Sequence, residues 1–145
     1  MRIFLTSPIL FRTAVNALLA TVFFLAAEPA ALAQPRVVEI VADKDSRFKI
    51  AGQKAGQLVV KAGETIVLRV DARKGKTWNR DGTVHGFTLL QMKSRVKVAG
   101  WDLELQPGVQ EFTLTAPGPG DYEVVCTVIC SDSHEGMRMK VLVLP

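Results

Sequence analysis

Cys126, Cys130, His134 and Met137 stand in one twelve-residue run, CTVICSDSHEGM, close to the end of a 145-residue chain. Thiolate, imidazole and thioether together make a soft ligand set, of the kind that selects copper. Both cysteines of the chain are in this run, and so is one of its two histidines. The other, His85, falls in a separate strand-like segment, TVHGFTLL. Three chemistries use such residues. Two cysteines can close a disulfide. Two cysteines and two histidines can hold zinc, which has no use for Met137. A sulfur-rich set that includes methionine suits copper. The concentration of every cysteine and histidine on one plausible site argues for a metal protein.

These side chains need rigid elements to carry them, and the chain reads as all-β. Residues 64–72 alternate, with Ile66, Leu68 and Val70 on one face and Val67, Arg69 and Asp71 on the other. Residues 110–115 point Phe112 and Leu114 inward. Residues 121–126 put Tyr122, Val124 and Cys126 on one face, and residues 137–144 do the same with Met137, Met139, Val141 and Val143. This is period-2 patterning. Residues 37–42 and 57–61 are further strand candidates. Turn chemistry separates the strands at Ala62-Gly63, Arg80-Asp81-Gly82, Pro107-Gly108 and Pro117–Gly120. No long helix is expected after residue 33. Several short strands in about 110 residues predict a β-sandwich or barrel. The alternation places His85 inward with Phe87 and Leu89, and Cys126 at the end of its strand. The loop 127–136 carries Cys130 and His134. One end of a sandwich can thus gather all of these side chains.

The front of the chain predicts export. Arg2 and Arg12 precede an apolar stretch from about Ala14 to Ala27, and Ala31-Leu32-Ala33 follows, the plan of a cleaved secretory signal. The apolar run is short for a membrane span, which needs roughly 20 residues; an uncleaved anchor is the alternative. Cleavage after Ala33 leaves one domain, 34–145, of 112 residues. Removing Arg2, Arg12 and Glu28 leaves 16 basic and 13 acidic residues, a mild net charge of +3 against +4 for the whole chain. No lysine or arginine block forms a nucleic-acid footprint. An exported protein meets oxidising conditions, which keeps the disulfide alternative open.

On these residues the chain resembles a cupredoxin over nearly the whole of 34–145. The carriers of the resemblance are K-A-G-E-T (61–65), H-G-F (85–87), P-G (107–108) and P-G-x-Y-x-x-x-C (119–126). The loop C-x3-C-x3-H-x2-M (126–137) is similar to the binuclear copper-A loop of cytochrome c oxidase subunit II and nitrous oxide reductase. The resemblance implies a Greek-key β-sandwich and two copper ions bridged by Cys126 and Cys130. His85 and His134 would each cap one copper, Met137 would be a weak axial ligand, and Val128 would lend a backbone carbonyl. Two departures stand out: Val128 replaces a frequent glutamate, and Ser131 a frequent glycine. A tryptophan-rich electron-entry run is absent.

The implied function is one-electron transfer in the periplasm rather than catalysis. A copper chaperone or store using the same ligands is the alternative. Trp78 and Trp101 are expected to be packing residues. Arg73, Lys74, Lys76, Arg80 and Lys93, opposed by Asp81 alone between residues 73 and 93, form a candidate basic face that would fit a redox partner acidic at its docking surface.

Overall fold

Alternation of residue type becomes alternation of buried and exposed side chains in nine strands among the described residues. The computed structural model describes residues 34–53, 56–75 and 79–145. The expected signal segment 1–33, with Lys76 and Trp78, lies outside them. The strands are β1 (Arg36–Asp43), β2 (Arg47–Ile50), β3 (Gln57–Lys61), β4 (Thr65–Ala72), β5 (His85–Gln91), β6 (Lys97–Leu105), β7 (Gly108–Thr115), β8 (Gly120–Val125) and β9 (Arg138–Leu144). The helical element among the described residues is a single 3₁₀ turn, His134–Gly136.

Two sheets face each other. One has the order β2-β1-β4-β7, and the other β3-β9-β8-β5-β6. In the first, β1 runs parallel to β4 with Ile40 opposite Val70, and β4 is antiparallel to β7 with Leu68 opposite Phe112. In the second, β3 runs parallel to β9, while β8 pairs antiparallel with both β9 and β5. The chain changes sheet repeatedly, so each sheet holds strands distant in sequence.

The core lies between the sheets. Ile66, Leu68 and Val70 of β4 are fully buried, and so are Phe87 and Leu89 of β5 and Val124 of β8. Each such side chain contributes about 1.5–3 kcal/mol of burial free energy. Phe48 and Phe87 meet edge to face across the sandwich at 5.2 Å. Trp101 is buried and donates its indole N–H to the Thr115 carbonyl at 2.8 Å, joining β6 to β7. It is a packing residue, as expected.

Three connections meet at one end of the sandwich: the β1–β2 turn, the β4–β5 connection and the β8–β9 loop. Gly75 of the second lies so near the third that a Cβ there would be 3.0 Å from the Cys130 carbonyl oxygen. Ser46 of the first hydrogen-bonds Ser131 of the third. The opposite end holds the β5–β6 turn. Because β5 is seven residues long, Lys93 sits roughly 20 Å from His85 at about 3.3 Å rise per residue. It does not share a face with that end, which corrects the grouping of Lys93 with Lys74 and Arg80. Arg73 is drawn into ion pairs with Asp71 at 3.0 Å and Asp43 at 3.8 Å.

Candidate metal centre

His85 opens β5, and the neighbouring strands bury its ring to 1% exposure. Its Nε2 lies 2.9 Å from the Arg73 carbonyl oxygen. A carbonyl only accepts, so Nε2 carries the hydrogen and Nδ1 keeps its lone pair. That Nδ1 is buried without a hydrogen-bond partner among the described residues. Orphaned buried nitrogens are costly and uncommon, and this one belongs to a ring that neighbours two sulfurs. The ligand atoms of His85, Cys126 and Cys130 all lie within 4.8 Å of one another.

The cysteines reach this point from two directions. Cys126 follows directly on β8, and its amide donates to the Met137 carbonyl at 3.1 Å, one step beyond the β8–β9 ladder. Cys130 returns from the loop. Both thiols are buried and free, with sulfurs 3.7 Å apart. A disulfide holds its sulfurs at about 2.05 Å. The Met137 thioether is fully buried 3.9 Å from the Cys130 sulfur. The Val128 carbonyl oxygen is 3.2 Å from the Cys126 sulfur. The structure therefore brings together His85, Cys126, Val128, Cys130 and Met137.

His134 is placed beside this cluster rather than in it. It begins the 3₁₀ turn, half-buried, with Nδ1 3.1 Å from the Ser131 carbonyl. Its Nδ1 therefore carries the hydrogen and Nε2 the lone pair, the opposite tautomer to that of His85.

The two thiols differ in acidity. Burial raises the Cys126 thiol, but the His85 ring, the Gly86 and Val128 backbones and Cys130 outweigh it and hold the thiol below its ordinary value. Burial and then the charge on Cys126 push the Cys130 thiol up to about 11, against the pull of the Ser131 and Ser46 hydroxyls. Two adjacent thiols resist ionising together. A cation between them removes that obstacle, because metal binding displaces both protons. A lone pair on imidazole, two thiols and a thioether in a water-poor pocket fit a soft metal, copper above all.

Sequence reasoning missed the supporting groups. Gly86 lies so close to the loop that a Cβ would fall on the Thr127 hydroxyl and lie 2.8 Å from the Thr127 nitrogen. Its amide donates to the Cys126 sulfur at 3.4 Å. Thr88 is fully buried and bonds Asp102 at 2.6 Å and Thr127 at 3.0 Å, tying the loop to the outer face of β5. The glycine in H-G-F was a visible signal; the threonines carried none.

No protein-family model and no curated protein sequence matches the chain. Solved structures do. The copper protein rusticyanin is 22% identical, covering 74% of this chain and 76% of its own, with a TM-score of 0.52. Dithionite-reduced auracyanin from Roseiflexus castenholzii is 18% identical over 77% of this chain and 98% of its own, with a TM-score of 0.51. The fold is that of the cupredoxins. The chain also spans 64% of the length of a matched chain from a heme-copper terminal oxidase dimer, at 19% identity and a TM-score of 0.49. In the cupredoxin framework described above, the cluster occupies the loop end, where the β8–β9 connection and the start of β5 converge.

Proposed function

We propose that this chain holds copper between the Cys126 and Cys130 thiolates and carries single electrons. The reading rests on one observation: buried His85, whose Nδ1 has no hydrogen-bond partner among the described residues, is clustered with two free thiols, one of them in contact with a methionine sulfur. Copper, when bound, supplies reversible one-electron chemistry at the protein's working potential. The chain's own residues do the rest. Arg73 orients His85 through its carbonyl, Gly86 steadies the Cys126 sulfur by its amide, and the sandwich excludes water from all three donors.

In the finer form of the proposal the centre is binuclear and copper-A-like, with two ions per chain. His85 and His134 would each hold one ion, Met137 would be a weakly bound ligand, and Val128 would give its carbonyl. His134 joins when its ring turns away from the Ser131 carbonyl. The near-complete burial of His85, Cys130 and Met137 supports a retained cofactor, and so favours an electron carrier over a chaperone that must release its cargo. The proposed setting is the periplasm, after removal of residues 1–33, with a redox protein as partner. Among the described residues no helix is long and apolar enough to cross a membrane.

Metal analysis of copper-loaded protein with its visible spectrum tests this reading. Two coppers per chain and an intense mixed-valence purple colour are expected. One copper with a blue single-site spectrum overturns the binuclear form. Retention of zinc alone, or no metal at all, overturns the whole proposal.

A further inference from the structure

The end of β1 and the β1–β2 turn belong to the sheet opposite the cysteines, yet each reaches the site. Asp43 ion-pairs Arg73, whose carbonyl fixes the tautomer of His85. Ser46 hydrogen-bonds Ser131, the residue after Cys130. Ser131 is the hub of the loop: its hydroxyl accepts the Ser133 amide at 3.1 Å, and its carbonyl accepts the His134 amide at 3.3 Å.

Two features make Ser46 unusual for a turn residue. Its residue exposure is only 6%, and its φ of 59° is left-handed. Glycine or asparagine suits that conformation better than serine does. There the bond of the buried hydroxyl to Ser131 offsets the backbone cost of a serine in this conformation.

We propose that Ser46 is a positioning residue of the centre, a clamp from the opposite sheet that holds Ser131 and through it the Cys130 side of the ligand loop. The proposal rests on the metal-binding reading above only for its effect on potential. The mechanical part stands on the hydrogen bonds alone. The Ser46–Ser131 bond uses one of the pair's two hydroxyl hydrogens, and with metal present the other is left to donate toward the neighbouring Cys130 sulfur. Donors to a ligating thiolate withdraw charge from it and raise the reduction potential.

The test uses Ser46→Gly and Ser131→Ala. Glycine suits the left-handed turn, so Ser46→Gly removes the hydroxyl without backbone conflict, and the melting temperature should not fall. In the reduced, metal-free protein, amide exchange at His134, Gly136 and Met137 should quicken roughly fivefold to tenfold in either variant, the effect of one lost net hydrogen bond. Exchange at Val141 in β9 should not change. In the copper-loaded protein both variants should lower the reduction potential. The double variant should go no further than the larger single one, because both break the same bond. Unchanged loop exchange and potential in both variants, with copper still bound, overturn the clamp. Quickened loop exchange in a protein that takes up no copper supports the clamp and overturns the metal reading. Should Ser46→Gly fail to fold, Ser131→Ala, which leaves the turn intact, decides by the same readouts.

Discussion

Each donor at the centre has a different replaceability, and chemistry sets the order. A hydroxyl is a poor soft-metal ligand, so Cys126→Ser or Cys130→Ser should abolish the binuclear spectrum. Met137→Leu should keep copper and shift the potential, since a neutral thioether is a weaker ligand than a thiolate or an imidazole. Val128→Ala should change the spectrum little, because the atom beside the Cys126 sulfur is its backbone carbonyl oxygen, which the substitution keeps. Copper loading and voltammetry on the four variants check this; a Cys130→Ser protein with an unaltered spectrum would refute the assignment. Gly86 is a separate case. Gly86→Ala drives a Cβ into Thr127, an overpacking that should cost about 1–3 kcal/mol. Since Thr127 adjoins Cys126, copper affinity should fall as well. Thermal unfolding of the metal-free protein separates the two effects.

Among the elements, the β8–β9 pair carries both the ligand loop and a titratable lock. Glu123 on β8 pairs with Arg138 on β9 at 3.1 Å and with Arg95 of the β5–β6 turn at 2.8 Å. Burial raises its carboxyl, but Arg95 and Arg138 outweigh burial and hold it below the usual glutamate value. A carboxyl depressed in the folded state stabilises it above the unfolded pKa, near 4.3. That contribution drains away as pH falls from there through the lower folded value. Melting temperatures measured from pH 6 down to pH 3 should therefore decline more steeply in the wild type than in Glu123→Gln. Parallel curves would show that Glu123 is not the titrating lock. The elements also explain two omissions in the sequence reading. β2 is four residues long, too short for a periodic signal. β6 buries only Trp101 and Leu105, and the register of its pairing with β5 shifts between Thr88 and Leu90, beside the left-handed Gly100. A bulge breaks the two-residue period on which strand reading depends.

On the scale of the molecule, the sandwich is a rigid mount for one end. Phe87 couples the sheets through Phe48, two residues along β5 from His85. Phe87→Ala should cost about 3–5 kcal/mol in urea unfolding, and should weaken copper retention with it, because His85 shares that strand. A loss below about 1 kcal/mol would mean that the sheets are held elsewhere. The partner surface also belongs to this scale. Among the described residues, Arg73, Lys74 and Arg80 are exposed on the chain that leads into His85, Arg73 with ion pairs to Asp71 and Asp43, while Lys93 lies at the far end. With an acidic redox partner, Lys74→Glu should slow bimolecular electron transfer and flatten its dependence on salt. Lys93→Glu should do neither. Equal effects from the two variants would remove this end as the docking face.

The chain by itself determined the candidate ligand types, their spacing and the sheet class, because thiol, imidazole and thioether chemistry is local and the two-residue period is written residue by residue. It also placed Cys126 at a strand end and Met137 in line with Met139, since β8 and β9 keep their alternation up to the loop. Only the tertiary structure decided which nitrogen of His85 is free, because the Arg73 carbonyl that settles it lies twelve residues away, at the start of the β4–β5 connection. Packing likewise separated His134 from the sulfur cluster and raised Cys130 above Cys126 in pKa. Ser46, 85 residues before Ser131 in the chain, meets it through its place on the opposite sheet. Contacts between sheets depend on register and on the path of the crossings, and neither quantity is carried by any short run of residues.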